Sequence, residues 1–469
     1  MDKPIDNVIA TNRFGLGARP GELTLAKPDP KSWLAQQIKG TRPTPATLGH
    51  LSTSAAVFRI YQGIREQRQQ GKRAEETSPE AVKQKFAGAR QALAAIYVDQ
   101  VAARYATAVK TEESFRERLV HFWSNHFAVS ADKPQVAALA ATLENEAIRP
   151  HVAGNFGDML AAVESHPAMI LYLDNQASIG SNSKVGQRAA SRAIEGRKVG
   201  INENLAREIL ELHTLGVNGG YTQTDVTAFA RVLTGWSIGS DRGPLAGGET
   251  GKFLFRENAH EPGAQTVLGK RYAEAGEEQA RGVLSDLASH PATAIHLATK
   301  LVRHFIDDEP PPDACERIAR VFRDSTGQLA EVHRALLDLA PAWRATPAKY
   351  KTPHEFVIST LRSVDYVPER RQQLVASFQM LGQRPFSPGS PAGWPDTAAQ
   401  WDGPDALLKR IEWATQFGER FGARIKPLEL ASAALGESLS ERTRTAISRA
   451  ASSAQGLTLL LASPDFMRR

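Results

Sequence analysis

The chain has 469 residues, a net charge of +6, 42% hydrophobic residues and 23% charged residues, which is the composition of a folded globular protein. Its basic residues are spread out and not interleaved with aromatic ones, a pattern that argues against nucleic-acid binding. No apolar run approaches the roughly 18 residues of a membrane span. A single cysteine, Cys315, excludes an internal disulfide framework and a multi-cysteine metal cluster.

The first part of the chain predicts helices after a glycine-rich entry loop. The segment 13–17 (RFGLG) lacks the Lys-Ser/Thr ending and the preceding strand of a phosphate-binding loop, so no nucleotide cofactor is indicated. A helical pattern covers about 59–110. The next helix, near 115–129, places His126 in the middle of a face that also holds Phe122 and Trp123. His126 is therefore a candidate metal ligand or, alternatively, a core histidine bonded to a backbone carbonyl.

Residues 178–200 predict a mobile basic loop, acting as a surface linker or a lid, because serine and glycine alternate there with basic side chains. The basic residues are Lys184, Arg188, Arg192, Arg197 and Lys198. Helix starts are predicted before the loop at His166-Pro167 and later at His290-Pro291, since proline is favoured in the first helical turn.

The segment 202–216 predicts a helix that ends at Gly216. Wound at about 100° per residue, it places Glu208 and His213 inside its apolar arc. A buried carboxylate and imidazole need partners, because burying either one unpaired is costly. We therefore take Glu208 and His213 as candidate catalytic residues. A capping box at Thr222 and Asp225 predicts the start of the next helix.

The periodicity then changes to that of strands. Segments 253–255 and 266–268 predict two short strands of a β-hairpin insertion over 250–272. His260 and Glu261 would stand at the tip of this hairpin, where His260 is either a functional residue or a solvated loop side chain.

The helix beginning at Pro291 carries a cationic face that could bind a phosphate, sulfate or carboxylate, although a charged helix face is usually only solvated. The face consists of His296, Lys300, Arg303 and His304. Residues 381–402, rich in proline, glycine and tryptophan, predict an irregular covering loop that packs over the helical body and could wall a pocket. The whole pattern predicts one large, mostly all-α, bundle-like domain over 1–469 with a small β-hairpin near 253–268.

Several of these segments resemble a large bacterial family catalogued as a domain of unknown function, number eighteen hundred. The matching segments are RFGLG at 13–17, WSNHF at 123–127, HPAM at 166–169, NENLARE at 202–208, ELHTLG at 211–216, NAHEPG at 258–263, the helix after 290–291 and GW at 393–394. The resemblance spans almost the whole chain. It implies a mostly helical protein, often encoded beside an exported member of the alkaline-phosphatase-like superfamily, and it supplies no reaction.

Two functional hypotheses follow. The first is a metal-dependent enzyme, a hydrolase or oxidoreductase, in which His126, Glu208, His213 and His260 bind zinc, iron, manganese or copper. A metal-free form would use Glu208 or His213 as general base and the cationic helix as an anion clamp, which suits hydrolysis of a charged ester or a sugar derivative.

The second hypothesis is a non-catalytic helical partner or maturation factor for the exported companion, with the buried polar residues holding the helices together. The start of the chain, MDKPID, has no apolar signal-peptide region, so the sequence as written predicts a cytoplasmic location. Export together with the companion to the periplasm is the alternative.

Overall fold

The computed structural model describes residues 5–74, 79–191, 200–241 and 246–469. Within these ranges the protein is mostly helical, as the sequence predicted. The helices of the first half are α1 (Asp6–Ile9), α2 (Glu22–Ala26), α3 (Pro30–Gln37), α4 (Ser54–Ala74), α5 (Pro79–Lys110), α6 (Ser114–His126), α7 (Ala140–Leu143), α8 (Phe156–Glu164), α9 (Pro167–Tyr172), α10 (Lys184–Ser191), α11 (Asn204–Glu208) and α12 (Gln223–Val232).

The helices of the second half follow four short strands. They are α13 (Glu277–Ser289), α14 (Pro291–Phe305), α15 (Pro312–Asp324), α16 (Leu329–Leu337), α17 (Pro353–Ser363), α18 (Arg371–Met380), α19 (Pro404–Phe421), α20 (Pro427–Leu435), α21 (Glu441–Ser448), α22 (Ser453–Leu461) and α23 (Pro464–Met467). One hydrophobic cluster runs from Ile9 in α1 to Phe466 in α23 and includes the aromatic face of α6. No helix within the described ranges has the length and apolarity that a membrane crossing requires.

The predicted helix starts are confirmed. His166 and His290 each precede a proline, and the Nδ1 atom of each ring accepts a hydrogen bond from a backbone N–H two residues later, over 3.2 and 3.1 Å. At the start of α12, the Thr222 and Asp225 side chains form the predicted capping box. In each case the side chain satisfies an N–H that the first helical turn leaves without a partner.

In the described part of the chain, three helical stretches contain a π-helical segment, which a pattern wound at 100° per residue does not predict. The segments are Ala10–Phe14, Glu144–Ile148 and Ile209–Thr214. The last of them continues α11, so the predicted helix over 202–216 is only α-helical as far as Glu208. Such wide turns are rare and occur often at functional sites.

The strands form where the sequence predicted them, but they pair differently. Strand β1 (Trp236–Ile238) pairs antiparallel with β2 (Phe253–Phe255), and β3 (Gln265–Val267) forms a tight hairpin with β4 (Lys270–Tyr272). The two predicted strands therefore do not pair with each other, because each pairs with a segment that the sequence did not predict as a strand. As a result the segment between them is not an exposed tip. His260 and Glu261 are only 5% and 4% exposed.

The basic segment 178–200 also differs from the prediction. Its residues Lys184–Ser191 form α10 instead of a loop. Residues 192–199, which hold Arg192, Arg197 and Lys198, lie outside the described part of the chain.

Candidate functional site

A cavity of about 460 Å³ lies among α5, α6, α14, α17 and the covering loop, residues 381–402. The aromatic and aliphatic residues of these elements form most of its wall. Its charged and imidazole side chains are Arg104, Arg118, His121, His126, Lys300, Arg303, His304, Asp308, His354, Glu355 and Asp396. A cavity that concentrates so many titratable groups is the usual form of a binding or catalytic site.

Helix α14 contributes the cations of one wall. Lys300 is only partly buried, and no hydrogen bond or ion pair joins its amine to any described residue. Burial lowers the Lys300 pKa to about 8, Asp396 opposes this effect and Arg303 adds to it. Arg303 donates only from Nε, to the Asp308 carbonyl over 3.4 Å. Both side chains therefore have N–H groups to offer to a ligand.

His304 is one helical turn beyond Lys300 and is held by the covering loop. Its Nδ1 donates to Asp396 Oδ2 over 2.6 Å, which leaves Nε2 as the acceptor nitrogen of the neutral ring. That Nε2 atom is buried and has no hydrogen-bond partner among the described residues. Burial lowers the His304 pKa below its ordinary value although Asp396 opposes the shift, so the ring is neutral near pH 7.

Asp396 is fixed in turn by its surroundings. Burial alone would raise the pKa of Asp396, but His304 and then Lys349 lower it below its ordinary value. Lys349 donates to the Asp396 carbonyl over 2.5 Å and also contacts Asp308. The carboxylate, the imidazole and the lysine thus form a preorganised group, in which Asp396 and His304 line the cavity and Lys349 lies behind them.

His126 lies at the other end of the same wall, at the end of α6. Its Nε2 donates to the His213 carbonyl over 3.2 Å, as in the predicted alternative of a core histidine bonded to the backbone. Its Nδ1 atom is buried and has no partner among the described residues. Burial, followed by the charge of Lys300, lowers the His126 pKa well below its ordinary value.

Glu208, at the end of α11, and His213, in the π-helical segment that follows, both lie outside the cavity. His213 Nδ1 lies 2.8 Å from Glu164 Oε1, and both side chains are fully buried. Glu208 is half-buried, and burial raises its pKa. Neither residue lines the cavity. The catalytic assignment of Glu208 and His213 stays a prediction.

The four predicted metal ligands do not come together as a set. His126 and His213 are close, with ring centroids 6.1 Å apart. His260 instead bonds through Nδ1 to the Thr234 carbonyl over 3.0 Å. Among the residues that the structure describes, no group of three or more His, Cys, Asp or Glu side chains has the geometry to hold a metal ion.

The predicted anion-binding face is brought together only in part. Lys300, Arg303 and His304 line the cavity, but His296 does not. His296 bonds through Nε2 to the Leu212 carbonyl over 3.0 Å. Together with His126, it satisfies carbonyls at the end of the π-helical segment, which have no partner within the helix.

The covering loop closes the cavity through a pair of hydrogen bonds with α6. Asn125 donates from Nδ2 to the Trp394 carbonyl over 2.9 Å, and the Trp394 N–H donates to Asn125 Oδ1 over 2.7 Å. Gly393, with φ of +82°, allows this approach, because a Cβ there would lie 2.3 Å from the Asn125 carbonyl oxygen. Two of the segments that carry the family resemblance thus meet at the site.

Sequence reasoning missed the acidic residues of the cavity. Glu355 contacts Arg118 and lies 2.8 Å from Arg469 Nε. Burial alone would raise the Glu355 pKa, but these two arginines hold it well below its ordinary value. Asp396 had one available signal, since it lies two residues after Trp394 in the covering loop. For Glu355 the sequence offers no signal beyond its position in the first turn of α17, because its partners Arg118 and Arg469 are more than a hundred residues away in the chain.

Comparison with known proteins leads to a single family. No curated protein and no solved structure matches the chain. A family model described as "Protein of unknown function (DUF1800)" matches residues 9–468, which is nearly the whole chain. The family assigns no activity, so the cavity geometry is the only guide to one. The protein belongs to the DUF1800 family.

Proposed function

We propose that this protein is an enzyme that acts on an anionic small molecule in the cavity, with Lys300 and Arg303 binding the anion and His304 accepting a proton. The observation that carries the proposal is the combination of Lys300, a cavity lysine without a partner, and His304, whose ring is oriented by Asp396. Burying an acceptor such as His304 Nε2 without a partner costs about 1–3 kcal/mol. A hydroxyl or amine of a bound ligand would offset that cost.

The roles follow from the chemistry of each group. Asp396 holds the His304 tautomer that leaves Nε2 with a lone pair, as a carboxylate does in hydrolytic triads. His304 can then accept a proton from water or a hydroxyl of the substrate, a contribution that is typically worth about 10²–10⁴ in rate. Lys300 and Arg303 stabilise negative charge on the substrate. Hydrolysis of a charged ester or of a sugar derivative fits these roles.

Metal dependence is a separate part of the proposal, motivated by the unpartnered ring nitrogens of His126 and His304. Imidazole nitrogen suits zinc, iron and copper. Elemental analysis of protein purified without a histidine tag tests it. We expect any stoichiometric metal to be lost in His126→Ala and His304→Ala, and metal that both variants retain would refute these two ligands.

One observation favours the alternative of a non-catalytic partner. Buried ion pairs join segments that are far apart in sequence, such as Arg362 with Glu22 at 2.9 Å and Arg104 with Glu144 at 2.8 Å. Networks of this kind can hold long helices together without catalysis. A protein of this class, such as a partner of the exported companion, would not need the unpaired Lys300.

Anion binding distinguishes the two functions. We expect inorganic phosphate, sulfate or citrate to raise the melting temperature, because a ligand at 100 times its Kd adds about 2.7 kcal/mol of stability. Lys300→Ala and Arg303→Ala should remove the effect. The control, Lys409→Ala, should keep it, since Lys409 lies outside the cavity and is paired with Asp405. Equal stabilisation of all four proteins, or none, would refute the proposal.

A further inference from the structure

Among the buried and partly buried lysines that the structure describes, Lys300 differs from the others because its amine has no hydrogen-bond or ion-pair partner. Lys349 contacts Asp308, and Lys351 donates to Ser359 Oγ over 3.1 Å. Lys133 donates to two backbone carbonyls. Among the described residues that line the cavity, Lys300 is the one lysine. Its amine is therefore not engaged in holding the fold together.

The neighbours of Lys300 supply what an amine nucleophile needs. His304 is four residues further along α14, and residues at this spacing are neighbours on one face of a helix. The unpartnered Nε2 of His304 can accept and return a proton. Arg303 is adjacent, with a guanidinium group whose Nε alone is used. The same wall therefore holds a nucleophile, a base and an anion-binding group.

The protonation state of Lys300 agrees with this role. Its pKa, lowered to about 8 by burial, leaves about a tenth of the amine neutral at pH 7, whereas an ordinary lysine with a pKa of about 10.4 has less than about a thousandth. Buried lysines with lowered pKa values are the ones that form imines with carbonyl compounds.

We propose that Lys300 is a carbonyl-reactive amine and that the substrate of this cavity is an anionic aldehyde or ketone, bound through its carboxylate or phosphate by Arg303. This inference rests on the proposed function, from which it keeps the anionic ligand and His304 as base, and it narrows the substrate to carbonyl compounds that react through an imine in place of ester hydrolysis. It also gives Lys300 a covalent role in place of a purely electrostatic one.

The step is balanced within the site. The neutral Lys300 nitrogen attacks the carbonyl carbon, a C–N bond forms, and the C=O π bond breaks to leave an ammonium and an alkoxide. His304 Nε2 takes one proton from the nitrogen and gives it to the alkoxide, which makes the carbinolamine. A second proton follows the same route from the nitrogen to the hydroxyl group, which leaves as water as the C=N bond forms. No oxidant or reductant is consumed.

Reductive trapping with two anionic aldehydes, glyoxylate and pyridoxal 5′-phosphate, tests the proposal. Each aldehyde is added to the full-length protein, the imine is reduced with borohydride, and the modified lysine is identified by peptide mass spectrometry. We expect Lys300 to be labelled at least about tenfold faster than Lys409, from the larger fraction of neutral amine. The labelling rate should rise with pH up to about 8, as Lys300 loses its proton.

Variants and competitors provide the controls. Lys300→Arg keeps the positive charge and should abolish the labelling, while circular dichroism checks that it folds. Arg303→Ala and added inorganic phosphate should each slow labelling by the anionic aldehydes by a larger factor than labelling by neutral propionaldehyde, which gains nothing from the anion site. Labelling of Lys300 no faster than that of Lys409 would overturn the inference. If phosphate still stabilises the protein through Lys300 and Arg303 in that case, only the carbonyl-reactive role of Lys300 is refuted and the proposed function stands. If phosphate does not stabilise the protein, the proposed function is refuted as well.

Discussion

Three glycines of the covering loop allow two contributions to the closure of the cavity to be measured separately, namely backbone conformation and close packing. Gly382 and Gly393 both have φ of +82°. A Cβ on Gly382 would meet nothing within 4 Å, whereas one on Gly393 would lie 2.3 Å from the Asn125 carbonyl oxygen. Gly389 has neither a positive φ nor a close neighbour. Alanine at the three positions therefore separates backbone strain from steric conflict.

The magnitudes follow from these differences. The left-handed conformation costs a residue with a Cβ about 1–2 kcal/mol, so Gly382→Ala should lose that amount. Gly393→Ala should lose a further ~1–3 kcal/mol, typical of an overpacked contact, because a backbone oxygen cannot rotate away. Gly389→Ala should be neutral or gain up to about 1 kcal/mol from the lower entropy of the unfolded chain.

Two measurements read out the result. Urea denaturation gives the free energy of unfolding, and hydrogen exchange of residues 383–397 shows whether the covering loop opens locally instead. If the covering loop opens in Gly393→Ala, Asp396 no longer orients His304. This variant should then also lose the stabilisation by phosphate. If Gly393→Ala and Gly382→Ala have the same free energy of unfolding and the same hydrogen-exchange rates, the contact with Asn125 does not have the role given to it.

Two further predictions concern buried histidines. His333 is fully buried, neither of its ring nitrogens has a partner among the described residues, and burial, then Arg116, lowers its pKa to about 3. The unfolded chain, with a histidine pKa of about 6.5, binds more protons, so stability should fall as the pH drops from about 6.5 towards 3, by up to ~1.4 kcal/mol per unit. His333→Leu should flatten this slope in urea denaturation at pH 7 and 5, and an unchanged slope would contradict the assignment. His213→Phe should cost at least ~1–3 kcal/mol, because Glu164 stays buried without its partner, and adding Glu164→Leu should restore much of it in a double-mutant cycle. Additive losses would show that the two residues do not interact.

Local patterns predicted the fold well. The helix starts at His166 and His290, the Thr222 capping box and the strand segments near 253 and 266 all depend on neighbours within a few residues. The strand pairing was wrong because pairing depends on which segment comes closest in space. The π-helical segment that contains His213 also escaped prediction, since it is stabilised by His126 and His296 from two other helices.

The site could be predicted from the sequence only in part, because some of its contacts join residues that are far apart in the chain. Lys300, Arg303 and His304 were predicted as one helical face, and they do share a wall of the cavity. Asp396 is bonded to His304 across 92 residues of sequence, a relation that no helical period shows. The apolar arc of the helix correctly predicted that His213 is buried. It could not show whether the side chain faces the cavity or, as observed, the core beside it.

Two of the cavity histidines, His126 and His304, keep their protons on opposite ring nitrogens. His126 uses Nε2–H on a backbone carbonyl and keeps a lone pair on Nδ1, whereas His304 uses Nδ1–H on Asp396 and keeps a lone pair on Nε2. Lys300 and Arg303 offer only N–H groups. A ligand that satisfies all four residues must bring an anion to the cations and hydroxyl or amino hydrogens to the imidazoles. Hydroxylated anions should therefore bind more tightly than simple dianions. A simple dianion would place its oxygen lone pairs against the lone pairs of His126 Nδ1 and His304 Nε2.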